Sequence, residues 1–95
     1  MILRFTGVLY EWRGPSPFHF VDLPESESSM VSDVRRILTY GWGVIPVAAV
    51  VGSTEWSTSL FPREGRYALP VRASVRSAES LRTGAELHVE LRLHV

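Results

Sequence analysis

The landmarks of the first half of this chain return in the same order in the second half. Gly7, Glu11-Trp12, Leu23-Pro24, Val34-Arg35 and Gly43 are answered by Gly52, Glu55-Trp56, Leu69-Pro70, Val75-Arg76 and Gly84, at offsets of 45, 44, 46, 41 and 41. A repeat constrains a fold more than any local propensity, because two similar stretches tend to make two similar structural units. The expectation is one domain over residues 1–95, built as a pseudo-two-fold arrangement of repeats at about 1–51 and 52–95.

Ninety-five residues with 45% hydrophobic content, three Trp, three Tyr and four Phe are enough for a single core. Disorder is disfavoured by the same composition. The absence of cysteine excludes disulfides and thiolate zinc sites. All ten basic residues are arginine, yet ten acidic residues cancel them and the computed pI is 6.8. The arginines are scattered from Arg4 to Arg92, without the net basic field or stripe usual in nucleic-acid binders. Residues 1–7 lack the apolar block of a signal peptide, and no apolar run is long enough to span a bilayer. The expected location is the cytoplasm, with no membrane contact.

Strand patterns dominate. In Ile2–Trp12, Leu3, Phe5 and Leu9 alternate with Arg4, Thr6 and Tyr10, and Phe18–Leu23 forms a second strand stopped by Pro24. Residues 27–39 read as an amphipathic helix that presents Met30, Val34, Ile37 and Leu38, with Gly41 as C-cap. Val44–Val51 is nearly all apolar, as for a strand buried on both faces at the centre of the fold. Glu55–Phe61 and Arg66–Val71 suggest a hairpin about the four-residue turn Pro62–Gly65. Ala73–Leu81 predicts a shorter helix presenting Val75, Ala78 and Leu81. The last strand is the clearest: Leu87, Val89, Leu91, Leu93 and Val95 face one way, and Glu86, His88, Glu90, Arg92 and His94 the other.

The expected fold is therefore mainly β: a small closed or double-split β-barrel of five or six strands, with an internal pseudo-two-fold repeat and two short helices. Closure removes exposed sheet edges.

Several stretches carry a family likeness: Phe18–Pro24, Val44–Val47, Trp56–Pro62, Gly65–Pro70 and Val75-Arg76. Together they resemble the bacterial domain-of-unknown-function family 1905 over nearly the whole chain. The resemblance implies a double-split β-barrel, a fold group that also contains dimeric transition-state regulators and antitoxins that bind DNA. It implies no catalytic residues, because that family has none established.

Catalytic chemistry is sparse. His88 and His94 share a strand face but lie six residues apart, roughly 20 Å, too far for one metal ion. Ser57, Thr58 and Ser59 lack a nucleophile elbow, and Gly41-Trp42-Gly43 lacks a phosphate-loop pattern. We therefore expect no catalytic residues, metal or cofactor. The candidate ligand-binding residues are Trp12, Trp42, Trp56 and Arg66. Trp42 would be a lid or a core plug, while Trp12 and Trp56 would be matched residues at barrel mouths or matched packing. Arg72 and Arg76, four apart, are candidates for anion contact on one helix face, the plainer alternative being a solvated face with Arg76 paired to Glu79. The functional expectation is a non-catalytic binding or protein-interaction module whose partner is a small molecule or a protein. A nucleic-acid-binding barrel is the alternative, and a small enzyme of unknown reaction comes third. A duplicated barrel already holds two halves, so a monomer is expected, with a dimer as the alternative.

Overall fold

A computed structural model describes residues 1–15, 17–38 and 43–94. The chain is mainly β, and the described residues form seven strands and two helices: β1 (Ile2–Val8), β2 (Tyr10–Trp12), β3 (Phe18–Asp22), α1 (Glu25–Leu38), β4 (Ile45–Val51), β5 (Thr54–Arg63), β6 (Arg66–Pro70), α2 (Ala73–Ala78) and β7 (Glu86–Arg92). All seven strands form one antiparallel sheet, curled as a half-barrel, in the order β1-β7-β4-β5-β6-β3-β2. Its two ends, β1 and β2, are separated in sequence only by Leu9. Leu9 bonds to the stretch before β7: its N–H donates to Ala85 O at 2.9 Å, and its C=O accepts from Gly84 N at 2.7 Å.

Alternation decides which residues enter the core. Leu3, Phe5 and Leu9, with Leu87, Val89, Leu91 and Leu93, are buried as expected. The strand at Val44–Val51 departs from expectation. It is central, between β7 and β5, but only Ile45, Val47, Ala49 and Val51 are buried, while Pro46, Ala48 and Val50 are half-exposed. Small apolar residues on its outer face mimic a doubly buried strand in the sequence.

The β5–β6 turn is also tighter than expected. Strand β5 runs through Pro62 to Arg63, and only Glu64 and Gly65 turn, both at positive φ (49° and 78°), the backbone of a two-residue hairpin loop. Pro62 sits opposite Tyr67. Tyr67 gives its N–H to Ser28 Oγ and its C=O to Leu23 N, so it spends neither on the proline. The Pro62 nitrogen therefore faces the flank where β4 has already ended opposite Leu60, and no ladder bond is lost.

Helix α1 buries a different stripe from the one expected. Ser28 and Val31 are buried and Val34 is half-buried, whereas Met30 is exposed and Ile37 is 72% exposed. Ser28 turns the helix, donating to Leu23 O (3.4 Å) while accepting from Tyr67 N (3.2 Å). In α2, Val75 is buried, Leu81 packs against the core from beyond the helix, and Ala78 is exposed. The expected C-cap Gly41, the residue Trp42 and the terminal Val95 lie outside the described residues.

Candidate functional site: an aromatic groove

Strands β2 and β3 carry their aromatic residues on the face turned away from the core. Cross-strand pairing sets Tyr10 opposite Phe20 and Trp12 opposite Phe18. The four rings form a continuous row with centroids 6.1 to 6.4 Å apart and planes tilted by 33–36°. Beside the row, Leu9 just before β2 and Val21 within β3 serve the interior, while Glu11 and His19, which alternate with the rings, are half-buried. Trp12 and Phe18 remain 41% and 51% exposed, and Phe61 from β5 joins them at 45%.

These rings floor a groove of about 460 Å³, to which Pro62, Arg63 and Pro70 also contribute. A second cavity of about 450 Å³ shares Phe18, Phe61 and Pro70 with the first and adds His19, Arg72 and Arg76. The two make one continuous surface along β6, with guanidinium groups at both ends.

The arginines around it are held in place without carboxylate partners among the described residues. Arg63 Nη1 donates to the Tyr10 hydroxyl at 3.0 Å and its guanidinium lies 5.2 Å from the Tyr10 ring centre. The Tyr10 hydroxyl donates in turn to Asp22 Oδ1 at 2.5 Å. Burial, then the hydrogen bond and charge of Asp22, push the Tyr10 phenol well above its usual range, with Arg63 opposing the shift. Arg72 Nη2 donates to Ser57 O and Arg76 Nη1 to Val71 O, both at 2.6 Å. On the outer face of β1 and β7, by contrast, Arg4 and Arg92 both pair with Glu90, and Arg92 also with Glu55, at 2.8–3.0 Å. These contacts, led by the Arg92 hydrogen bond, hold the Glu90 carboxyl below its usual range.

The candidate residues from sequence are not gathered in one place. Trp12, Arg72 and Arg76 line the groove. Trp56 belongs to the core at 7% exposure, with its indole Nε1 buried and without a hydrogen-bond partner among the described residues. The two Glu-Trp pairs therefore occupy different surroundings. Arg66 lines a separate, more polar cavity of about 350 Å³ beside α1, with Ser28, Ser32 and Arg35. Trp42 lies outside the described residues. Arg76 does not pair with Glu79, which instead accepts from Thr54 Oγ1 (2.6 Å) and Ser53 Oγ (3.4 Å) across the β4–β5 turn.

Sequence reasoning missed Phe18, Phe20 and Phe61. The signal was available for the first two: Phe18 and Phe20 alternate with His19 and Val21, so only one set can face the core. The alternation alone does not say which set that is. Among the described residues no group of three or more His, Asp or Glu side chains could hold a metal ion.

A family model matches residues 5–91 of the 95. The chain belongs to the domain of unknown function family DUF1905. The DUF1905 match takes in every groove residue from Trp12 to Arg76 and both helices, and stops one residue short of Arg92. No curated protein matches the chain. Among the described residues no helix is long and apolar enough to cross a membrane.

Proposed function

We propose that this DUF1905 chain is a non-catalytic binding module that holds its ligand on the aromatic groove. One observation carries the reading: Trp12, Phe18 and Phe61, three of the largest side chains in the protein, stay about half-exposed on one surface while the core is completed without them. Contiguous exposed apolar surface is unfavourable in water and marks interaction sites.

The test is an NMR titration with indole and p-cresol at millimolar concentration. Shifts concentrated at the Trp12 indole N–H and the Phe18 and Phe61 amides are expected. Shifts spread evenly over the surface, or none, would overturn the reading.

The same row of rings supports a second reading, stacking of single-stranded nucleic acid, which combines aromatic platforms with arginine. Zero net charge weighs against it. It predicts affinity that falls steeply with salt.

The finer architecture belongs to the same proposal. We read the sheet as a double-split barrel made of two halves, each with a long strand, a hairpin partner, a helix and a returning strand. Three features support this: Leu9 joins the two ends of the sheet order, β1/β2 divides its pairing between β7 and β3 as β5 does between β4 and β6, and two hydrogen bonds, Leu23 N to Tyr67 O and Val71 N to His19 O, are reciprocal at a common offset of 48 residues. In that reading the chain is a monomer, which sedimentation would test.

A further inference from the structure

We infer that the groove receives an extended segment of a partner protein in which acidic residues flank an apolar centre. The inference rests on the binding-module reading and adds the chemistry of the partner.

The floor is open. Sites for small molecules bury most of their ligand's surface, and rings left half-exposed across two adjoining cavities cannot enclose a small molecule in that way. A surface of Trp, Phe and Arg is instead the composition of protein-interface centres, where aromatic and arginine side chains dominate the binding energy.

Charge sets the character of the partner. Arg63, Arg72 and Arg76 have no carboxylate within salt-bridge distance among the described residues, and each is oriented by one hydrogen bond to a neutral oxygen. A guanidinium has five N–H donors, so most of each remains available to a carboxylate. Ordering these side chains before binding reduces what association must spend on them. Glu11, beside His19 at 3.8 Å, is itself engaged by Arg13 at 2.9 Å.

Spacing sets the order of the partner's residues. Arg63 pairs in register with Arg66 at one end of β6, and Arg72 follows Pro70 at the other. Five strand residues span roughly 17 Å. An extended partner would therefore place its acidic residues about five positions apart, with an aromatic or aliphatic side chain over Phe18 and Phe61 between them.

The test pans a linear random-peptide display library against the full chain, with the W12A/F18A variant as counter-selection. Selected peptides are then synthesised and titrated by NMR. The expected result is enrichment of acid-flanked apolar sequences that shift the groove resonances. Their affinity should fall at least tenfold in R72E, and lysine-flanked versions of the same peptides should gain affinity for R72E. R63Q, at the other end, should weaken the acidic peptides and relieve the repulsion that the lysine-flanked ones meet there. If indole maps to the groove but the selected peptides are basic, or none is enriched, the partner chemistry is wrong and the module stands. If indole and peptides both leave the groove resonances unchanged, both readings fail. A single-stranded oligonucleotide that displaces the peptides, or sedimentation showing a dimer that W12A/F18A dissolves, would also overturn the inference.

Discussion

Tyr10 shows at the scale of one residue how this surface is organised. Its ring stands in the aromatic row, and its hydroxyl connects Asp22 to the arginine at the groove's end. The folded chain retains the phenol proton above the ordinary tyrosine pKa of about 10. A pKa raised on folding gives a stability contribution that is complete below the unfolded value and is lost as pH climbs through the folded one. The contribution should therefore begin to decline above about pH 10. Y10F should remove the late-ionising phenol from an ultraviolet absorbance titration, flatten the alkaline loss of stability, and lower stability at neutral pH by about 1 kcal/mol through the lost hydrogen bonds. An unchanged titration in Y10F would show that the network does not hold the proton.

At the scale of elements, α1 and the β4–β5 turn give opposite lessons in what mutation should do. Val31 is fully buried and Ile37 projects into solvent. V31A should therefore lower the unfolding free energy by about 2 kcal/mol through lost methyl burial and the cavity left behind. I37S should stay within about 0.5 kcal/mol of the parent. Urea denaturation of the two variants measures both, and equal losses would mean that the helix lies on its other face. Gly52 turns between β4 and β5 at φ 59°, and a Cβ there would meet the Glu79 carboxylate that accepts from Ser53 and Thr54. G52A should lower stability by about 1–2 kcal/mol from the left-handed backbone alone, visible as a drop in Tm. An unchanged Tm would show that the turn relaxes to another shape.

The strands were legible in the sequence because period-2 patterning is local: Leu87, Val89, Leu91 and Leu93 could have only one arrangement. The groove was not, because it depends on which face of the β2–β3 hairpin is the outer one, and that is fixed by pairing with β6, some 48 residues away. The buried stripe of α1 failed for a related reason. Ser28 is polar, so apolar periodicity passed over the residue that fixes the helix rotation through Tyr67.

The whole molecule depends on its last strand. β7 lies between β1 and β4, pairing with Ile2–Val8 on one side and Ala48–Val51 on the other. Leu91 is fully buried there, so L91A should lower stability by about 2–5 kcal/mol in a urea titration. A chain ending at Gly84 should show no cooperative unfolding transition by circular dichroism, and a sharp one would mean that the other six strands suffice. For a ribosome the arrangement imposes a wait. With synthesis at ~5–20 residues per second, ~4–16 s pass between the appearance of β1 and that of the strand that pairs with it. Through that interval two strand flanks stand open on the nascent chain, so its exposure to aggregation and to chaperones is governed by translation speed as much as by the stability of the finished fold.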